Sequence, residues 1–242
     1  MIVLQLIGGL GNQMFQYAAG LKMATDRGTE LVIDTSEFES YALRRHELSS
    51  FAVTARMATE TDLKRFKVTI IEVLLDKLKL LGKASVRKAI NSSGEHDLLI
   101  RRDDYGHWNN PRHFTGVEDV LREEFTLRGS PNATYNAMIH KIQKSVSVSV
   151  HIRRGDYLAA KNRLVFAECS KEYFSAAIDL MARKIGAIEC FVFSDDVNWV
   201  RENLTFNHPA TYVSGNEFTD AEEIMLMAAC KHNITANSTF SW

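Results

Sequence analysis

Short apolar runs alternate with helical patterns through roughly the last hundred residues, and this alternation limits the fold more than any other feature. Residues 146–152 interleave Val and Ile with Ser and His, which is strand-like. Apolar runs return at 190–193, 210–213 and 233–236, with helical patterns between them at 171–184, 197–203 and 220–231. Strands alternating with helices of about ten residues build parallel βαβ units. The chain opens in the same way. Residues 2–7 read as a buried strand, 8–11 as a glycine loop, and 12–27 as a helix with Phe15, Ala18, Leu21 and Ala24 at helical spacing. The next strand is expected at 31–33, and a helix over 133–144 behind Pro131. The middle, 36–115, is less regular, with helix-like stretches at 60–67 and 70–81. The weakest boundary falls within 129–145, so two α/β halves are expected, 1–140 and 141–242.

Composition removes several classes of function. Lys and Arg number 29 against 30 Asp and Glu, for a net charge of -1, so no basic field supports nucleic-acid binding. Any anion site must be built locally. The three cysteines, Cys169, Cys190 and Cys230, lack metal-ligand spacing and read as thiols of a reducing compartment. The apolar start at 1–7 is too short for a signal sequence, and no run approaches the roughly 20 apolar residues of a membrane span. The expected location is cytoplasmic.

Ligands of open parallel sheets bind beyond the carboxyl ends of the strands, so the residues just past each strand matter most. After 146–152 come Arg153, Arg154, Gly155, Asp156 and Tyr157. Arginine suits bidentate phosphate recognition, the glycine allows a tight turn, and Asp156 can orient a guanidinium. A salt-bridged surface loop is the competing reading. After 190–193 come Asp195 and Asp196, which fit a helix cap as well as a ligand contact. After 233–236 come Asn237, Ser238, Thr239 and Phe240, a hydroxyl-rich helix start able to hold an anion. The first strand runs into Gly8, Gly9, Leu10, Gly11 and Asn12. With Met14 at the third glycine position and Asp34 further on, this is a poor dinucleotide fingerprint, yet its backbone can approach a phosphate. Together these features suit a nucleoside-diphosphate ligand. No metal-binding D-x-D run has adequate context, so cationic side chains would neutralise the diphosphate.

These residues also resemble a known family. Gly8 to Tyr17, reading GGLGNQMFQY, looks like the opening motif of the α-1,2-fucosyltransferases. His151 to Tyr157, HIRRGDY, resembles their H-x-R-R-x-D motif, and Ile234 to Trp242 ends in their S-T-F-S-W motif. Asp104 to Asn110 is similar to a looser aromatic motif. Two departures stand out. The family usually has Arg where this chain has Gly9, and relatives continue past Trp242, so a C-terminal half cut short is expected.

The resemblance implies a GT-B-like fold of two Rossmann-like halves with parallel sheets facing a central cleft, across which the glycine and arginine loops would meet. It implies inverting transfer of L-fucose from GDP-β-L-fucose to a galactose-containing glycan, in surface O-antigen or capsule synthesis, with no metal or other cofactor. Peripheral contact with the inner membrane would fit that role. By position, Arg153 would bind the β-phosphate, with Arg154 adding charge and Asp156 beside them. His151 and Asp220 would lie near guanine and ribose. Ser238, Thr239 and Phe240 would line the phosphates, and Gly9, Gly11 and Asn12 would approach the leaving diphosphate. Tyr105, His107 and Trp108 are candidates for stacking on the acceptor, although an aromatic cluster equally reads as core. Another sugar-nucleotide transferase of the same fold, or a non-enzymatic carbohydrate- or nucleotide-binding module, are the alternatives.

Overall fold

The computed structural model describes residues 1–39, 44–66, 86–90, 96–100, 108–158, 167–215 and 218–242. It divides into two compact units, Met1–Thr126 and Leu127–Trp242. The division precedes the 140/141 boundary expected from composition. The cause is the helix Ala133–Lys144, whose Tyr135 and Ile142 pack against Phe191, Phe193 and Leu226 of the second unit.

The first unit contains β1 (Ile2–Gln5), α1 (Leu10–Asp26), β2 (Leu31–Asp34), β3 (Arg56–Met57), α2 (Glu60–Lys64), β4 (Val86–Ile90), β5 (His96–Ile100) and α3 (Glu118–Glu124). Its sheet has the order β3-β2-β1-β5-β4, parallel except for the antiparallel edge β4. β1 and β2 are buried at every residue, which is why each reads as three apolar residues in a row. β3 and β4 give no such signal, because β3 is an exposed two-residue edge and β4 carries adjacent Arg87 and Lys88. The helix expected over 60–67 is shorter, held at its start by a capping box between Thr59 and Asp62. The helix expected over 70–81 lies outside the described residues.

The second unit contains α4 (Ala133–Lys144), β6 (Ser147–Ile152), α5 (Lys171–Ile185), β7 (Glu189–Ser194), α6 (Val197–Asn203), β8 (Ala210–Tyr212), α7 (Asp220–Ala229) and β9 (His232–Ile234). Its strands are all parallel, in the order β8-β7-β6-β9. Successive side chains of β7 serve opposite faces. Cys190 and Val192 pack with Phe174 and Ile178 of α5, while Phe191 and Phe193 pack with α4 and α7. Among the described residues no helix is long and apolar enough to cross a membrane.

The two sheets share one winding rule. In each, the first strand is central, the next two extend to one side, and a later strand returns to the other. The winding therefore reverses beside β1 and beside β6, and such reversal points open the crevices where α/β sheets hold ligands.

A buried polar knot fixes α1 in the first unit. The Tyr17 hydroxyl donates to Glu124 Oε2 at 2.5 Å, and Glu124 Oε1 accepts from the hydroxyl and N–H of Thr54. Burial, then the Glu124 carboxylate, holds the Tyr17 phenol well above its ordinary pKa. Truncating Glu124 would leave the buried Tyr17 hydroxyl without its acceptor, while exposed Thr54 would turn to water. Glu124→Ala is expected to cost about 2–4 kcal/mol, and Tyr17→Phe about 1–2 kcal/mol, in urea unfolding. Losses within about 0.5 kcal/mol for both would show that the knot contributes no stability.

Candidate functional site

β6 carries buried side chains to its last residues and then releases two arginines together. His151 is buried near the strand end, and Arg153 and Arg154 come directly after Ile152. Like charges this close need partners. Arg153 Nη1 lies 3.1 Å from Asp195 Oδ2, and its guanidinium lies 5.7 Å from the centre of the Tyr157 ring. Arg154 is held from three sides. Its Nε is 3.3 Å from Asp196 Oδ2, its Nη1 pairs with Glu168, and its Cζ lies 3.4 Å over the Trp199 ring. Side-chain exposure is 15% for Arg153 and 11% for Arg154. The two acids after β7 thus have different tasks. Asp196 caps α6, accepting from the Trp199 N–H at 3.2 Å, whereas Asp195 serves the arginine loop. Among the described residues, Asp195, Asp196 and Glu168 hold the two guanidiniums. The Asp156 backbone lies in the short 3-10 turn Gly155–Leu158, and its side chain is outside the described residues.

The end of β9 joins the same place. The Phe240 ring lies 5.3 Å from the His151 ring, and the Tyr157 hydroxyl donates to the Asn237 carbonyl at 3.0 Å. The helix start expected at 237–241 is a turn. The Ser238 hydroxyl accepts from the Phe240 N–H at 3.3 Å, and the Ser238 carbonyl accepts from the Ser241 N–H at 3.2 Å. Ser238 and Thr239 are half-buried there. Three of the strand ends picked out in the sequence, those of β6, β7 and β9, therefore converge at the switch point of the second sheet. His151 Nδ1 has no hydrogen-bond partner among the described residues. Burial, reinforced by the Arg153 charge, pushes the imidazole down to about 3, so it is neutral near neutral pH.

One residue escapes sequence reasoning. Glu223 of α7 accepts from the Ser214 hydroxyl at 2.7 Å, and Ser214 Oγ accepts from the Ser194 N–H at the end of β7 at 3.0 Å. Burial, with a further push from Asp220, raises the carboxyl to about 7 against the pull of Ser214. Three acids crowd the first turn of α7, and spacing alone does not tell which faces inward. Asp220, expected near the nucleoside, is exposed in that turn. Glu222 is used as the partner of the Thr219 cap.

The glycine loop is built by its own helix. Gln13 is fully buried and donates to the carbonyls of Gly8 and Arg45 at 2.9 and 2.8 Å, while accepting from the N–H groups of Glu47 and Leu48. Gln16 exchanges two hydrogen bonds with the backbone of Ile7. Gly8 has φ +87, and a Cβ there would crowd Asn12 Nδ2 at 2.8 Å. Gly9 sits at the α1 N-cap without a capping side chain. The Arg44 side chain packs over it, with Nε 3.7 Å from where a Cβ would lie. An arginine from another segment thus stands beside the position where the family usually has one. Gly11 is buried and Asn12 half-buried in the first turn of α1. Asp34, at the end of β2, accepts from Gln5 Nε2 and the Ser36 N–H.

Of the aromatic candidates, Tyr105 and His107 lie outside the described residues. Trp108 is 6% exposed and meets His113 edge-on at 5.4 Å, so it packs as core instead of offering a face to a sugar. Among the described residues no group of three or more His, Cys, Asp or Glu is placed to hold a metal ion.

Glu223 makes stability depend on pH in a defined direction. Its carboxyl is raised from 4.5 to about 7 on folding, so the folded chain keeps a proton that the unfolded chain has released. The stabilisation is full below about pH 4.5 and lost as pH rises through about 7. Between those values the wild type should lose about 1–3 kcal/mol relative to Glu223→Gln in chemical unfolding. Parallel profiles for the two proteins would contradict the buried acid.

The model of Glycosyl transferase family 11 matches residues 101–242. The alpha-1,2-colitosyltransferase of Escherichia coli is 31% identical over 100% of this chain and 85% of its own length. The O-antigen biosynthesis glycosyltransferase WbnK of Escherichia coli is 30% identical over 98% of this chain and 87% of its own. A galactoside alpha-(1,2)-fucosyltransferase of Rattus norvegicus matches half of the chain at 28% identity, across 36% of its own length. Among solved structures, the NodZ alpha-1,6-fucosyltransferase co-crystallised with GDP superposes with TM-score 0.61 at 13% identity, covering 99% of this chain and 89% of that one. NodZ from Bradyrhizobium gives 0.58 with similar coverage, 99% and 90%. The fold is that of these GT-B-like, two-domain α/β transferases. Sequence motifs, fold and full-length relatives agree that the chain is a glycosyltransferase of the fucosyltransferase type and belongs to glycosyl transferase family 11.

Proposed function

We propose that this enzyme transfers L-fucose from GDP-β-L-fucose to a hydroxyl of a terminal galactose in a surface glycan, with inversion and without a metal ion. The observation that carries the proposal is the arginine loop at the switch point of the second sheet. There Arg153 stands half-buried beside neutral His151, with the Ser238 turn next to it. In inverting transfer, the acceptor hydroxyl oxygen attacks the anomeric carbon from the face opposite the GDP and its proton is released. The bond from that carbon to the β-phosphate oxygen breaks, and negative charge grows on the diphosphate. A guanidinium fixed at that oxygen binds the transition state better than the ground state. Arg154 adds charge from its pocket of Trp199, Asp196 and Glu168. The resemblance assigns His151 and Asp220 to the nucleoside, and the position of Glu223 beside Asp220 adds a second acid to that side. Thr239 and Phe240 would line the phosphates. Gly9, Gly11 and Asn12 would bring backbone and amide groups to the leaving diphosphate.

A second donor is favoured by one specific observation. A relative aligned over the whole chain is a colitosyltransferase, and colitose differs from fucose by one missing ring hydroxyl. Turnover with GDP-fucose, GDP-colitose, GDP-mannose and UDP-sugars on galactose-ended acceptors, in EDTA, separates these readings. The proposal expects GDP-fucose to be preferred and the product to be α-1,2-linked. Preference for GDP-colitose would move the chain to the second donor, and turnover with UDP-sugars alone would refute both.

The catalytic assignment has its own test. Arg153→Ala should lower kcat on the order of 10²–10³-fold, with a smaller effect on the KM for donor. Arg153→Lys should recover little, because an ammonium lacks the planar fork. Near wild-type turnover in Arg153→Ala, or loss only through a lowered Tm, would remove Arg153 from the chemistry.

A further inference from the structure

Asp195 occupies a position that the proposed chemistry does not use directly. Its Oδ2 lies 3.1 Å from Arg153 Nη1, and its Oδ1 accepts from the Arg154 backbone N–H at 2.9 Å. One carboxylate therefore holds both the side chain of the first arginine and the backbone of the second. Gly155 completes the arrangement. A Cβ at that position would overlap the Asp195 carboxylate, so the loop passes against this acid only because residue 155 has no side chain. Asp195 itself is fixed by its chain neighbours. Ser194 is the buried end of β7, its N–H donates to Ser214, and Asp196 is tied down as the α6 cap. The carboxylate thus stands on the rigid sheet and aims the more exposed of the two arginines, while Arg154 is fixed independently by Trp199, Asp196 and Glu168.

We propose that Asp195 is the positioning residue for Arg153, holding the guanidinium in the orientation that meets charge as it develops on the leaving diphosphate. This rests on the donor reading given above. Orientation and charge have opposite consequences here. Asp195 is a negative group beside the cation that would bind GDP, so it weakens ground-state binding of the dianionic or trianionic phosphates. By fixing the guanidinium, it strengthens the interaction made in the transition state. Removing it should therefore lower turnover while leaving GDP affinity equal or tighter. A residue that merely braces the fold would lower turnover, GDP affinity and Tm together.

The test is steady-state kinetics with the preferred GDP-sugar, GDP titration by calorimetry and thermal unfolding, on wild type, Arg153→Ala, Asp195→Ala, Asp195→Asn and the Arg153→Ala/Asp195→Ala double variant. Asp195→Asn keeps an oxygen for the Arg154 N–H and so guards against simple misfolding of the loop. The expected result is a fall in kcat of at least about tenfold for both Asp195 variants, with GDP Kd unchanged or lower. The double variant should be no slower than Arg153→Ala alone, since one residue acts through the other. Gly155→Ala should reproduce the kcat loss by displacing the carboxylate. If Arg153→Ala loses turnover but both Asp195 variants keep it, the positioning role is wrong and the donor reading stands. If GDP affinity falls in parallel with kcat and Tm, Asp195 is a structural brace and the proposal is overturned. If wild type neither binds GDP nor uses any GDP-sugar, the donor reading fails and takes this proposal with it.

Discussion

Two guanidiniums leave the end of one buried strand side by side, and nothing else near that strand end can be understood until their repulsion is answered. Water answers it at a protein surface. Here the side chains are mostly covered, so fixed partners do so instead: Asp195 for Arg153, and Asp196, Glu168 and the Trp199 face for Arg154. The arrangement is asymmetric. Arg154 lies among Asp196, Glu168 and Trp199, while Arg153, slightly more exposed, meets Asp195 and Tyr157. A loop that must keep one arginine still and present the other needs acids from a neighbouring strand, which is what the parallel pairing of β6 with β7 supplies. It also needs a residue without a side chain at 155.

The same strand end imposes a demand on His151. A buried imidazole next to a guanidinium cannot carry a proton cheaply, and burial together with Arg153 keeps it neutral. A neutral ring can accept or donate one hydrogen bond at Nδ1 and stack against Phe240, without adding a third positive charge. The winding of the sheet explains why these groups meet at all. β6 is the first strand of its unit and β9 the last, and they pair because the chain reverses its winding there. The first unit repeats this design with the glycine loop after β1. There the buried amides of Gln13 and Gln16 hold the loop by its backbone and leave Gly9 open to Arg44.

Much of this is legible in the sequence, for identifiable reasons. Buried parallel strands announce themselves as apolar runs in β1, β2 and β7, and β6 is clear from its Val/Ile alternation. The loops after them stand out because ligands of open parallel sheets bind just past the strand ends. β3 and β4 are invisible because they are short, polar or edge-placed, and the place of β5 between β1 and β4 is set by tertiary pairing. The roles inside the motifs are harder. In the opening motif, Gln13, Gln16 and Tyr17 are buried structural groups, since a sequence does not say which amide faces inward. Asp156 is the nearest acid to the arginines along the chain. Asp195 is near in space through a strand pairing that local sequence cannot express. Glu223 is hidden among three acids in one helical turn, and only the contact with Ser214 distinguishes it.

The central claim is that the end of β6 reads a diphosphate through arginine. Calorimetric titration of wild type with guanosine, GMP and GDP, each with and without EDTA, tests it most directly. A diphosphate site built on Arg153 should bind GDP at least about tenfold tighter than GMP, a step worth about 1.4 kcal/mol, with guanosine weaker still and no change on chelation. Equal affinity for GMP and GDP, or loss of GDP binding in EDTA, would contradict it.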